Sequence, residues 1–140
     1  MSGILHQATC VAIGGRGLMI EGPAGSGKSS LALALIDRGA VLVGDDGVTV
    51  TRDGHAVRAS PAPETSGLLE IRNVGLIEFA TLSDVAVALI VRLDPTAPRF
   101  RDAPDWCDRW GVRLPAIALW PALPVLALRA EWALRRYGLG

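Results

Sequence analysis

The sequence predicts an α/β fold in which a mixed β-sheet is flanked by helices. About seven segments have the length and composition of strands, against two clear helices. Several strands are joined by tight turns, which makes their neighbours antiparallel and favours a mixed sheet over a doubly wound parallel one. A glycine-rich loop at residues 22–29 lies between a predicted strand and a predicted helix. This succession of strand, loop and helix is the central element of the predicted fold.

In the first half of the chain, apolar runs bounded by glycine or aspartate predict strands, and a helical period predicts one helix. The helix covers Ser29–Arg38 and ends at Gly39. The pair Asp53-Gly54 predicts a tight hairpin turn, and the glycines at 14–17 predict another. The predicted strands are Thr9–Ile13, Leu18–Glu21, Ala40–Gly44, Val48–Thr51 and Ala56–Ala59.

The second half of the chain alternates strands with polar loops and closes with a helix. Prolines predict a loop at Ser60–Ser66, and Thr96–Asp105 is predicted to be a polar loop. The helix covers Leu126–Tyr137, and its basic end suits the helix dipole. The predicted strands are the short Leu68–Ile71 and Gly75–Phe79, the very hydrophobic Val85–Leu93, and a last strand at Pro115–Leu119.

Length and composition predict a single domain over residues 1–140. Half of the 140 residues are hydrophobic, enough for a core without disulfides or metal. The formal net charge is zero, which argues against a nucleic-acid-binding protein. The uncharged stretch Leu114–Leu128 is short and holds three prolines, so a membrane span is not predicted. With no signal-peptide pattern and two isolated cysteines, Cys10 and Cys107, the expected location is the cytoplasm.

The glycine-rich loop matches the phosphate-binding pattern G-x-x-x-x-G-K-S/T. Glycines permit the backbone angles that turn N–H groups toward a phosphate, and the following helix adds N–H donors and the positive end of its dipole. In this pattern the lysine reaches the β- and γ-phosphates and the final hydroxyl ligates Mg²⁺. The sequence therefore predicts that a nucleotide binds here, and the expected nucleotide is ATP with Mg²⁺. The candidate residues are Gly22, Pro23, Ala24, Gly25, Ser26, Gly27, Lys28, Ser29 and Ser30.

Aspartates follow two of the predicted strands, where they could hold a metal ion or move a proton. Asp45 and Asp46 follow the strand that ends at Gly44 and are the stronger pair; Asp45 is a candidate metal ligand. The alternative for both is a polar turn into the next strand. Asp94 also follows an apolar strand, but Pro95 favours a turn that ends the strand.

Glu70 is unusual because it lies inside an otherwise apolar predicted strand. A charge in that position requires a metal ion, a partner or solvent. Three interpretations stay open on the residues alone: a ligand of Mg²⁺, an ion pair with the neighbouring Arg72, or a strand position that faces solvent.

These segments together resemble the catalytic domain of HPr kinase/phosphorylase. Enzymes of this family phosphorylate a serine of HPr, the phosphocarrier protein of the sugar phosphotransferase system, and can reverse the reaction. The resemblance extends from His6 to about Gly111 and implies the P-loop core also found in phosphoenolpyruvate carboxykinase. It is carried by His6 ahead of the first hairpin, the glycine-rich loop, the block Leu35–Asp46 and the block Leu69–Ile77, where the family reads Glu-Ile-Arg-Gly-Leu-Gly-Ile-Ile.

The resemblance implies a role for each matching residue. Lys28 would hold the nucleotide phosphates, and Ser29 and Glu70 would ligate Mg²⁺. Asp46 would accept the proton of the substrate serine. His6 would be the active-site histidine near that aspartate; its alignment needs one extra residue in the first turn. Arg109 resembles the family arginine that stabilises phosphoryl charge, and its alignment needs a small gap.

The resemblance also has two departures. Full-length members carry an N-terminal domain, and this chain resembles the short version without it. The family's C-terminal loop, with a Pro-Gly-Arg-Asn type motif important for dephosphorylation, has no match, since Ala118–Pro124 reads differently. The implied activity is therefore the kinase reaction with an HPr-like partner. Family members are hexamers, so a homo-oligomer is expected; the alternative is that the last helix only covers the sheet.

Two other functions stay open on the sequence. One is a P-loop kinase for a small molecule, with Thr96–Asp105 as a lid carrying Arg99 and Arg101. The other is a regulatory module that binds a nucleotide without transferring phosphate.

Overall fold

The computed structural model describes residues 3–140, so residues 1 and 2 of the predicted domain lie outside it. Within that range the chain forms eleven strands and two helices. The strands are β1 (Ile4–His6), β2 (Thr9–Ile13), β3 (Arg16–Glu21), β4 (Val41–Gly44), β5 (Val48–Asp53), β6 (Ala56–Pro61), β7 (Leu68–Ile71), β8 (Gly75–Glu78), β9 (Val85–Leu93), β10 (Asp105–Arg109) and β11 (Val112–Leu119). The helices are α1 (Lys28–Asp37) and α2 (Leu126–Tyr137). Neither helix has the length and apolar character that a membrane crossing requires.

Nine of the strands form one mixed sheet that divides at β9. From one edge the order is β4, β2, β3, β9. On the far side of β9, the residues Val85 and Ala86 pair with antiparallel β6, which continues to β5 and β1. The last residues of β9, from Ile90, pair instead with parallel β11, which continues to β10. The sheet is mixed, as the turns predicted, because β3 and β11 both run parallel to β9.

Apolar residues alternate between two cores on the faces of this sheet. In β3, Leu18 and Ile20 lie on the face that both helices cover, whereas Met19 lies on the opposite face. The opposite core is closed by β5, β6 and the β10–β11 hairpin. The period of two follows from the pleat of a strand, in which successive side chains point to opposite faces. The second core therefore requires no helices.

The structure corrects the predicted elements in three ways. The mixed sheet with two helices is confirmed, but strands dominate the described residues, so the fold is mainly β rather than α/β. The nine segments named as strands, first counted as about seven, are all present, and two further strands, β1 and β10, were missed, so the described residues hold eleven. Prolines were over-weighted: Pro61 ends β6, and Pro115 lies within β11, where pairing with β9 begins only at Ala116.

Candidate active site

Four strands direct their carboxyl ends to one edge of the sheet. β4, β9 and β11 run in the same direction as β3, because β2 is antiparallel to both β3 and β4 and the other two are parallel. Glu21, Gly44, Leu93 and Leu119 are the last residues of these strands. Open sheets of this kind bind ligands beyond the carboxyl ends of the strands. The predicted phosphate loop and Asp45-Asp46 therefore start from the same edge.

The glycines of the loop are required by its geometry. Gly25 and Gly27 have φ of 79° and 103°, in the left-handed region that favours glycine. A side chain at Gly22 would place its Cβ 2.6 Å from Ser26 Oγ and 3.3 Å from Leu93 Cβ. The backbone must therefore curve tightly between the end of β3 and the start of α1.

The loop and the first turn of α1 fit a phosphate group. The first backbone bond of α1 runs from Leu31 N to Gly27 O at 3.0 Å, so the three preceding N–H groups have no acceptor within the helix. Among the described residues, Ser26 Oγ is buried without a hydrogen-bond partner. Lys28 Nζ donates to the carbonyl oxygens of Gly22 at 2.8 Å and Pro23 at 3.1 Å. A phosphate would supply acceptors to all of these donors.

Asp45 connects the loop to two other elements through its carboxylate. Ser29 Oγ donates to Asp45 Oδ1 at 2.6 Å, and Thr9 Oγ1 donates to the same oxygen at 3.0 Å. The backbone N–H of Glu70 donates to Oδ2 at 3.4 Å. Asp45 is buried, with 8% of its surface exposed. Within residues 3–140, no basic side chain lies within ion-pair distance of it.

This donor set fits Mg²⁺. Buried charges in proteins are paired or coordinate a metal, and Asp45 has hydrogen bonds but no cation among the described residues. Mg²⁺ binds through one or two carboxylates, with phosphate oxygens and waters completing its shell. Residues 3–140 hold no cluster of three or more His, Cys, Asp or Glu side chains around one point. Asp45 and Ser29 are in contact and Glu70 lines the same cavity, so their oxygens have the chemistry to supply part of a shell for an ion shared with a nucleotide.

Asp46 faces a cavity of about 470 Å³ next to the loop. Its neighbour Asp45 is buried, but Asp46 is exposed, and its φ of 54° lies in the left-handed region. Its backbone N–H donates to Thr9 Oγ1 at 3.4 Å. The turn therefore places the two carboxylates differently. Asp45 is buried and held by hydrogen bonds, whereas Asp46 is exposed and accessible to a ligand in the cavity.

The β7–β8 hairpin forms the opposite wall of this cavity. Glu70 and Arg72 are both exposed and both line it, together with Leu68 and Leu76. Among the described residues Arg72 makes no ion pair with Glu70. The ion-pair interpretation of Glu70 is therefore wrong for the described residues, and the exposed carboxylate is consistent with the other two, a ligand of Mg²⁺ and a strand position that faces solvent.

His6 and Arg109 meet at a residue that the sequence did not single out, Glu21. Arg109 donates two hydrogen bonds of 2.7 Å to the two oxygens of the Glu21 carboxylate. His6 Nε2 lies 2.7 Å from Glu21 Oε2, and the His6 ring meets the edge of Trp110 with centroids 5.0 Å apart. Trp110 and Gly111, both with positive φ, form the tight turn between β10 and β11. Arg109 is the last residue of β10 before this turn and contacts Glu21.

Electrostatics keeps Glu21 ionised in this cluster. Burial alone would raise the pKa of Glu21, but hydrogen bonds from Arg109 and His6 outweigh it and hold that pKa below its ordinary value. The Glu21 hydrogen bond in turn raises the pKa of Arg109. Glu21 directly precedes Gly22, so the cluster is attached to the first residue of the loop.

The structure separates the predicted residues by where they lie, and Gly22, Pro23 and Ser26 of the loop do not line the cavity. Lys28, Ser29, Ser30, Asp45, Asp46 and Glu70 line the cavity, with Ala24, Gly25 and Gly27 of the loop. His6 and Arg109 are together at Glu21 and do not line it. Asp94 is a turn residue, because its carboxylate accepts hydrogen bonds from the N–H and hydroxyl of Thr96 at 2.8 Å and 2.7 Å.

Sequence reasoning missed two residues of the site. Glu21 could have been found from its position, since a charged residue at the end of a buried strand directly before the loop requires a partner. Thr9 has no such pattern, because a threonine in a strand is ordinary and its link to Asp45 depends on the β2–β4 pairing.

Comparison with known proteins identifies the family. The sequence model for the HPr Serine kinase C-terminal domain matches residues 2–92, which include the loop, both aspartates and Glu70. The chain belongs to this family. Arg109 and α2 lie beyond the matched residues.

Individual relatives and a solved structure support the same family assignment. The HPr kinase/phosphorylase of Clostridium beijerinckii is 40% identical over 106 residues, which cover 73% of this chain and 34% of that protein. The Streptococcus gordonii protein is 34% identical over 118 residues, covering 75% and 38%. The structure of the Hpr(Ser) kinase/phosphatase from Coxiella burnetii matches with a TM-score of 0.83 at 28% identity, covering 94% of this chain and 88% of that one. The fold is HPr kinase-like, and the chain spans about a third of the curated relatives' length.

Proposed function

We propose that this chain is an ATP- and Mg²⁺-dependent serine kinase that phosphorylates HPr or a similar phosphocarrier protein. The observation that carries the proposal is the contact between Ser29 and Asp45, which joins the phosphate loop to the acidic turn. The exposed Asp46 stands in the same cavity. Nucleotide, metal and a proton acceptor would therefore meet at one point, which is what phosphoryl transfer to a hydroxyl requires.

The loop would hold the phosphates through its own donors. Lys28 would exchange the carbonyl oxygens of Gly22 and Pro23 for phosphate oxygens, and Ser26 would gain a partner for its buried hydroxyl. Ser29, Asp45 and Glu70 would hold Mg²⁺. When bound, Mg²⁺ supplies positive charge that stabilises the phosphate oxygens during transfer.

Asp46 would accept the proton of the substrate serine as the hydroxyl attacks the γ-phosphorus. Its exposure in the cavity allows a side chain from another protein to reach it. General-base assistance of this kind is worth about 10²–10⁴ in rate. His6 and Arg109 would act beside it, with Glu21 as the positioning residue that fixes both.

The wider assignments follow the family and are part of the same proposal. They are one catalytic domain over residues 1–140, a cytoplasmic location and a homo-oligomer, with the hexamer as the form to test first. The reverse reaction is not proposed, because residues 118–124 do not match the family motif for dephosphorylation.

The proposal is tested with γ-labelled ATP, Mg²⁺ and purified HPr. We expect label on a serine of HPr, and no label with the Lys28→Met variant or with an HPr in which that serine is alanine. ATP binding without label on HPr would contradict the proposal and favour a regulatory module. Transfer to a small molecule but not to HPr would favour the small-molecule kinase.

A further inference from the structure

A second groove of about 510 Å³ adjoins the phosphate loop on the side away from Asp46. It lies between α1 and the start of α2, and it shares Gly27 and Ser30 with the cavity that contains Asp45 and Asp46. Its volume is within the range of small-molecule sites. The walls are mainly apolar and include Leu31, Ala34, Pro121, Leu123, Val125 and Leu128.

The direction of a nucleotide on the loop leads into this groove. In a P-loop the lysine contacts the β- and γ-phosphates and the serine ligates the metal. Both Lys28 and Ser29 line the cavity with Asp46, and neither lines the groove. The γ-phosphate end therefore belongs on the Asp46 side. A nucleotide bound in this direction would extend from the loop past Gly27 and Ser30, the two residues common to both spaces.

Val125 at the entrance of the groove is in a costly conformation. It is the N-cap of α2, has a φ of 58° and makes no side-chain capping bond. A β-branched residue is rare at positive φ, and N-caps favour serine, threonine, asparagine or aspartate. Its side chain is also 55% exposed. Strain of this kind clusters at functional sites, and Val125 lines the groove.

We propose that this groove, called the base groove below, binds the ribose and base of a nucleotide whose phosphates lie on the loop; the inference rests on the proposed function. Residues 121–128 of the groove lie outside the segment that matches the family model. The apolar walls suit the flat faces of a purine. The polar end of the groove is formed by Asp37 and Arg38, and Arg38 donates to Glu131 at 2.8 Å.

The test compares ATP with inorganic tripolyphosphate, which has the phosphates but neither ribose nor base. Both are titrated with Mg²⁺ by calorimetry against the wild type and the Ala34→Phe variant. Ala34 is exposed on α1, so phenylalanine would fill the groove without removing a buried contact. Ala103→Phe, at an exposed loop residue that lines neither space, is the matched control. Val125→Asn is a second variant, because asparagine accepts positive φ and caps helices.

We expect Ala34→Phe to weaken ATP binding by about ten-fold or more while tripolyphosphate binding stays within about two-fold. Val125→Asn should weaken ATP binding and leave the melting temperature unchanged or higher. Unchanged ATP affinity in both variants would overturn the base groove while leaving the phosphate loop intact. An equal loss of affinity for ATP and for tripolyphosphate would also overturn the base groove, since the substitution would then act through the phosphate loop. A wild-type protein that binds neither probe would overturn the proposed function itself.

Discussion

Replacing Glu21 with glutamine removes the one negative charge that Arg109 and His6 share. The three side chains are 15%, 24% and 25% exposed, so the cluster is partly buried. Exposed ion pairs contribute about 0–1 kcal/mol, and breaking a fully buried pair costs about 3–5 kcal/mol. With three contacts of 2.7 Å, we expect Glu21→Gln to lower the free energy of unfolding by about 2 kcal/mol at pH 7.

The effect should depend on pH with a defined sign. Burial tends to raise the pKa of Glu21, but Arg109 and His6 hold it below its ordinary value of 4.5 in the folded protein. A lowered carboxyl pKa contributes stability that is fully present above the unfolded pKa and is lost as the pH falls through the folded one. The difference between wild type and Glu21→Gln should therefore be largest at neutral pH and shrink below about pH 4.

Urea denaturation at pH 7 and at pH 3.5 measures this difference. Glu64→Gln is the matched control, because Glu64 is an exposed loop residue and should change stability by less than about 0.5 kcal/mol. If Glu21→Gln is as stable as the control variant at pH 7, the cluster does not stabilise the fold. If the loss of stability is as large at pH 3.5 as at pH 7, the effect does not come from the ionised carboxylate.

Three further predictions concern the loop, the metal and the thiols. Gly22→Ala should weaken ATP binding by about ten-fold or more in calorimetry, because the new Cβ collides with Ser26 Oγ; equal affinity would show that the loop yields freely. Glu70→Gln should raise the Mg²⁺ concentration needed for activity, and an unchanged Mg²⁺ titration would make Glu70 structural. Burial raises the pKa of the Cys10 thiol to about 12, so a thiol reagent at pH 8 should modify Cys107 and spare Cys10 until the protein unfolds.

The centre of the fold and of the site could be predicted because its residues are close in sequence. The strand, loop and α1 are contiguous, and Asp45 follows the next strand, so pattern and spacing were sufficient. Glu70, which lines the cavity, was singled out because it is a charged residue within an otherwise apolar strand. Each of these features depends on residues that are close in sequence, so motif spacing and hydrophobic pattern are enough to predict it.

The parts that could not be predicted depend on pairing between distant segments. β1 is three residues long and exists through its pairing with β5, and β10 contains two acidic residues and is held by β11. The Glu21 cluster likewise joins residues from β1, β3 and β10. A single sequence carries little information on such pairing, because each partner alone has an ordinary composition.

In the proposed function, Asp46 accepts the serine proton during transfer from ATP to the carrier protein. Asparagine at this position keeps the shape of the side chain and accepts the left-handed backbone at φ 54°. The most direct measurement is single-turnover transfer from γ-labelled ATP to HPr by the wild type and Asp46→Asn, with ATP affinity measured in parallel. We expect the affinity for ATP to stay within about two-fold and the transfer rate to fall by about 10²–10⁴. Equal transfer rates in the two proteins would contradict this role of Asp46.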